Sequence, residues 1–106
     1  MGEIAINMTW LVGQNENCAI QVDDPDVSGV HCQVDRTEDG RYLVTDLGSE
    51  HGTRIRSRRG HLRPAHRHEE ILPGEVLVIG RSEIRWAQTP EFIFNRANPT
   101  SVVEEL

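Results

Sequence analysis

The sequence predicts an all-β domain, a sandwich or a barrel. Three observations predict it. No stretch carries apolar residues at i, i+3, i+4 and i+7 over three helical turns. Short apolar or alternating runs recur instead. Turn residues separate these runs at close intervals, the spacing of short strands folded back on one another.

The elements follow in order. Ala5 to Val12 is the first apolar run, broken by Gly13-Gln14-Asn15-Glu16-Asn17. Ala19-Ile20-Gln21-Val22 alternates, with Ile20 and Val22 on one face. Asp23-Asp24-Pro25-Asp26 is a loop, because Asp side chains bond nearby backbone and Pro fixes φ. His31 to Asp35 is a short strand, and Glu38-Asp39-Gly40 turns the chain through its Asp-Gly pair. Arg41 to Asp46 returns as the partner strand, and Gly48 to Gly52 is a loop. Thr53-Arg54-Ile55-Arg56 alternates with its arginines outward. Arg58-Arg59-Gly60 is a hairpin tip, and His61-Leu62-Arg63 is the return. Pro64 to Glu70 reads as polar and irregular. Pro73-Gly74 suits the two central positions of a type II turn. Glu75 to Ile79 is β-branched and reads as a buried strand. Gly80-Arg81-Ser82 turns it into Glu83 to Trp86, with Ile84 and Trp86 inward. Phe92-Ile93-Phe94 adds a last strand.

The chain has 106 residues, one domain's worth, with 37% hydrophobic and 26% charged residues, an ordinary globular balance. No apolar run approaches the ~20 residues of a transmembrane helix, and the acidic N-terminus does not resemble a signal peptide. The expectation is a cytoplasmic protein with no membrane partner. Cys18 and Cys32 form no CxxC pair and read as reduced structural thiols. The net charge of −6 argues against nucleic-acid binding, which needs phosphate neutralisation. The charge is unevenly placed: residues 54–68 hold six arginines, three histidines and no acid. That island is either a solvated hairpin arm or a docking place for an anionic partner.

Four motifs in register, from Trp10 to Trp86, carry a family resemblance. They are Leu11-Val12-Gly13-Gln14 with Asn17-Cys18-Ala19-Ile20; Ser28-Gly29-Val30-His31; Asp46-Leu47-Gly48-Ser49-Glu50-His51-Gly52-Thr53; and Leu72-Pro73-Gly74-Glu75. Together they resemble the forkhead-associated (FHA) domain. The resemblance implies a two-sheet β-sandwich of the FHA (SMAD/FHA-like) type over residues 1–96, with 97–106 as a polar C-terminal tail. It implies loops at one end that bind phosphothreonine peptides. Such a ligand brings close to two negative charges and three acceptor oxygens, so it calls for a fixed cation and converging donors. The chain starts late for this family. The usual first strand is then missing or supplied by Phe92-Ile93-Phe94 or a neighbouring chain, and an unfilled edge leaves a homo-oligomer open.

The resemblance assigns roles residue by residue. Ser28 matches the serine that donates to phosphate, although it could instead close its own loop as an ST-turn. Gly29 replaces a commonly basic residue. His31 matches a histidine that holds the loop's shape from within. Ser49 lies near the peptide, Thr53 braces the loop, and Gly13 ends the first strand. Gly52 allows a positive φ. Two further positions depart from the pattern. Gln14 stands where the family has its phosphate-binding arginine, and a neutral amide replaces a charged fork of donors. His51 stands where the family has an asparagine that holds the peptide backbone. Glu50 adds an adverse acid beside the site. Two repairs are conceivable: protonation of His51 beside a phosphate, or Arg54 swinging in.

His61, His66 and His68 invite a metal reading, but six neighbouring arginines repel a cation. No phosphate-binding glycine loop or nucleophile–base spacing is present. The expectation is no enzyme, no cofactor and no metal, but a protein-interaction module. Its partner is another protein, bound weakly through phosphothreonine or without phosphate; fully functional phosphothreonine recognition in kinase signalling is the alternative.

Overall fold

The computed structural model describes residues 4–86 in full, and the backbone of the strands Phe92–Arg96 and Val102–Val103. The strands are β1 (Ile6–Gly13), β2 (Ile20–Gln21), β3 (Cys32–Thr37), β4 (Tyr42–Asp46), β5 (Thr53–Arg56), β6 (Leu62–Pro64), β7 (Glu69–Ile71), β8 (Val76–Ile79), β9 (Ser82–Trp86), β10 (Phe92–Arg96) and β11 (Val102–Val103). One sheet runs β2-β1-β3-β4-β7 and the other β11-β10-β9-β8-β5-β6. All described pairings are antiparallel except β1 with β2. This is the all-β sandwich that the sequence predicts.

Alternation along the strands builds the core. Trp10, Val34 and Val44 lie in register across β1, β3 and β4, so their side chains share one face. Ile55, Leu77 and Ile84 do the same across β5, β8 and β9. Buried residues of both rows join one hydrophobic cluster, against which half-buried Trp10 packs. Tyr42 links the layers: its ring stacks on Trp10 at 6.1 Å and meets Trp86 edge-on at 5.4 Å.

The structure departs from the sequence reading at two places. Within the stretch expected to be irregular, Glu69–Ile71 forms an edge strand on β4. Three residues are too few for a period of two to be legible, and the two glutamates hide the strand. The second is in the arginine-rich arm, which is exposed along most of its length but whose arginines are in part bonded to groups beyond the segment. Arg63 donates to Glu69 at 2.9 Å, to Glu75 at 2.8 Å and to the Glu70 carbonyl at 2.8 Å. Arg56 pairs with Glu83, and Arg58 donates to the Pro73 carbonyl at 2.9 Å. Phe92–Arg96, offered by the sequence as a substitute first strand, pairs along β9, with Phe92 opposite Trp86. Val102–Val103 pairs with β10; the rest of the expected tail lies outside the described residues.

Candidate functional site

Register gathers several chain reversals at one end of the sandwich. β1 ends and β3 begins together (Val12 opposite Cys32), and Cys32 also faces Asp46 at the end of β4. Thr53 at the start of β5 faces Ile79, and Ile79 faces Ser82 across the β8–β9 turn. The loops 14–19, 22–31 and 47–52 and the turn at Gly80-Arg81 therefore share this end.

Three polar side chains tie these loops together. The first is His31, fully buried. Its Nδ1 accepts from the Ser28 N–H at 3.1 Å, and its Nε2 lies 2.8 Å from the Gly52 carbonyl. A carbonyl only accepts, so the two partners fix the neutral tautomer with hydrogen on Nε2. The imidazole thus clamps loop 22–31 to loop 47–52.

The second is Asp46. It accepts from the Gly48 N–H at 3.0 Å, the Ser49 N–H at 3.1 Å, the Thr53 hydroxyl at 2.6 Å and the Ser49 hydroxyl. Burial pushes this carboxyl up, but these donors outweigh it and hold it below the usual carboxylate range. The Ser49 oxygen in turn accepts from the Gly52 N–H at 2.9 Å. Gly52 has φ 84, which lets the loop turn back into β5. Ser49 and Thr53 are therefore committed to shaping the loop.

The third is Asp24, with no exposed surface. One oxygen accepts from the Asp26 N–H at 2.8 Å; the other accepts from the Arg81 N–H and the Ser82 hydroxyl, both at 2.8 Å. Burial again raises the carboxyl and the three donors more than reverse it, leaving it lowered. This side chain fastens loop 22–31 to the β8–β9 turn.

Gly13 and Gly29 bring two backbones into contact. A Cβ on Gly13 would lie 2.2 Å from the Gly29 carbonyl oxygen. The space is taken by backbone, so glycine is required here for close approach. The Gly29 carbonyl accepts from the Asn15 N–H at 3.0 Å, and the Ser28 carbonyl from the Gln14 N–H at 3.0 Å.

On this frame sit the side chains expected to meet a ligand. The Ser28 hydroxyl oxygen accepts from the Glu50 N–H at 3.1 Å, which bridges the two loops and leaves the hydroxyl its own proton to donate. The Gln14 side-chain amide donates to the Asp24 carbonyl at 2.8 Å. It braces the loop and brings no charge. Glu50 and Arg54 are exposed, Arg54 at the start of β5. His51 is half exposed, and its Nε2 lies 4.0 Å from one Asp26 oxygen. The other Asp26 oxygen takes the Arg81 Nε at 3.0 Å.

The sequence profile of the FHA domain matches residues 10–80. The chain belongs to the FHA-domain family. No curated protein matches it. Among solved structures it is similar to an engineered FHA with Myc-pTBD peptide, at 25% identity and a TM-score of 0.60, covering 71% of this chain and 57% of that one. It is also similar to the FHA domain of CT664 protein from Chlamydia trachomatis, at 22% identity and a TM-score of 0.59, covering 76% and 75%. A third FHA structure, from work on phosphothreonine-dependent FHA domain interactions, shares 23% identity with a TM-score of 0.59 and 71% coverage of each chain.

In this FHA domain, sequence reasoning missed Asp24, Asp26, Asp46 and Arg81. Asp46 carried a signal, since Asp46-Leu47-Gly48-Ser49 reads as an Asx-type turn. Arg81 carried none, because its partners lie more than fifty residues away in the chain.

Proposed function

We propose that this FHA domain is a protein-interaction module that docks a phosphothreonine peptide weakly on the loop end built around Ser28. The similarity to FHA structures described with a peptide and with phosphothreonine-dependent interactions supports a protein partner. One observation carries the weakness: the Gln14 amide is spent on the Asp24 carbonyl, where the family resemblance implies a charged arginine. Replacing one charge-assisted hydrogen bond by a neutral one costs about 1.5–3 kcal/mol, roughly a 10- to 100-fold loss in affinity. His51 supplies an imidazole where the resemblance implies a backbone-holding amide, which lowers affinity further. What supports residual binding is the half-buried Ser28 hydroxyl, with its proton left to donate, on a loop frame tied by buried side chains.

The test is a phosphothreonine-peptide library presented to the wild type and to the Gln14→Arg/His51→Asn variant. Weak wild-type binding that tightens at least tenfold in the variant supports the proposal. Equal micromolar binding by both proteins would refute the weakness. No binding by either would refute the site.

A further inference from the structure

The turn Gly80-Arg81-Ser82 lies outside the residues that the resemblance marks for binding, yet it delivers a guanidinium to the loop end. The Arg81 backbone N–H is pinned by buried Asp24 at 2.8 Å, so the residue's position is fixed by the core rather than by its own side chain. Its Nε then meets Asp26 at 3.0 Å. Asp26 also faces His51 at 4.0 Å through its other oxygen. His51 follows Glu50, whose N–H bonds the Ser28 hydroxyl, and Ser28 lies two residues beyond Asp26. Ser28, Glu50, His51, Asp26 and Arg81 thus form one rim. Its centre is the Asp26 carboxylate, bonded to the Arg81 guanidinium through one oxygen and 4.0 Å from the His51 Nε2 through the other. A carboxylate is the protein's own stand-in for an anionic ligand.

We infer that Arg81 is the phosphate-binding cation of this domain, supplied by the β8–β9 turn in place of the arginine absent at position 14, and that Asp26 occupies it in the free protein. The inference rests on the proposed docking of phosphothreonine at the Ser28 loop end. A phosphate seated on Ser28 competes with the Asp26 carboxylate for Arg81. The Arg81 side chain is 73% exposed and that of Asp26 37%. A pair this open contributes at most about a fivefold preference, so a doubly charged phosphate can displace it. Asp26 therefore weakens the site in two ways: it holds the cation and it repels the incoming charge. Neither role is needed for the fold. The Asp24 bond uses the Asp26 backbone N–H, which survives side-chain replacement, and the same holds for the Arg81 N–H.

The experiment is an amide-detected NMR titration with N-acetyl-phosphothreonine methylamide at neutral pH and fixed ionic strength. It compares the wild type with Asp26→Asn, Arg81→Ala, Arg81→Lys, the Asp26→Asn/Arg81→Ala double variant and Gln14→Arg. Shifts at Ser28 and Glu50 are expected in the wild type, roughly three- to tenfold tighter in Asp26→Asn and about tenfold weaker in Arg81→Ala. Arg81→Lys retains the charge and most of the affinity, which separates loss of the cation from loss of structure. The double variant gains less from Asp26→Asn than the wild type does, because only the repulsion is relieved and the cation to be freed is gone. If Arg81→Ala and Asp26→Asn both bind as the wild type does while Gln14→Arg binds more tightly, the assignment of Arg81 is overturned and the docking proposal stands. If no variant, Gln14→Arg included, shifts Ser28 and Glu50, the docking proposal fails and this inference fails with it.

Discussion

Replacing Asp24 by Asn keeps the shape of the side chain and removes one acceptor. Asp24 is fully buried and faces three donors at 2.8 Å: the Asp26 N–H on one oxygen, and the Arg81 N–H and Ser82 hydroxyl on the other. An asparagine turned to serve Arg81 and Ser82 points its own NH2 at the Asp26 N–H. Turned the other way, it confronts the Arg81 N–H; the Ser82 hydroxyl can rotate to accept, but the backbone cannot. Either orientation loses a charge-assisted bond and strands at least one donor. Each such loss costs about 1.5–3 kcal/mol, and some of it is recovered by relaxation. The expected destabilisation is about 2–4 kcal/mol, large against the ~5–15 kcal/mol of a typical domain. Urea unfolding at neutral pH measures it, with an unchanged m value. The pH dependence supplies a second check. The folded carboxyl is lowered, so its contribution is present above the unfolded value of about 3.9 and is lost as pH falls through the lower folded value. The gap between wild type and Asp24→Asn should therefore narrow below about pH 4. A loss under 0.5 kcal/mol, or a gap that stays constant on acidification, refutes the account of Asp24 as a fastener between loop 22–31 and the β8–β9 turn.

Two further predictions concern the frame and the arginine-rich segment. Gly13→Ala places a Cβ 2.2 Å from the Gly29 carbonyl oxygen, and neither backbone can yield without breaking the pairings beside it. We expect a loss of about 3 kcal/mol or more, read as a fall in Tm, together with altered amide shifts confined to loops 14–19 and 22–31. Arg63→Ala removes the guanidinium from Glu75, which is nearly buried and keeps the Leu72 N–H, and should cost about 2–3 kcal/mol in urea unfolding, whereas Arg54→Ala, at an exposed position, should stay within ~0.5 kcal/mol. Equal effects of the two arginine substitutions would contradict this division.

The fold was legible because its evidence is local. Turn residues between alternating runs name the strands, and four motifs in order name the sandwich. The loop frame was partly legible for the same reason: His31 and the Asp46-to-Thr53 block carry their roles within short stretches of chain. The remainder depends on pairs that sequence separation conceals. Asp24 and Ser82 are 58 residues apart and belong to loops of different sheets, so only the packing of one sheet on the other brings the Gly80-Arg81 turn beside loop 22–31. The arginines of residues 54–68 read as a solvated arm because no acid lies within the segment. Their partners Glu69, Glu75 and Glu83 lie just beyond it and reach it only across the folded hairpins.

On the proposed reading, a loop end of this kind could exchange its cation without losing its form. His31, Asp24 and Asp46 all bond to backbone or hydroxyl groups of neighbouring loops, so the geometry of the loop end is determined from inside the protein. Of the groups expected to meet a ligand, Ser28 and Gln14 also brace that geometry, while Arg81 and Asp26 stand on it through their backbone N–H groups. At position 14 the bond to the Asp24 carbonyl asks only for a side-chain donor, and glutamine provides one. Exchange of arginine for glutamine therefore leaves the frame intact and alters only charge. A rigid frame lined by several loops also offers more than one place from which a guanidinium can enter, and Arg81 enters from the strand turn that Asp24 already holds in position. The frame determines where an anion can sit; which residue supplies the positive charge is a separate and more freely exchanged feature of the sequence.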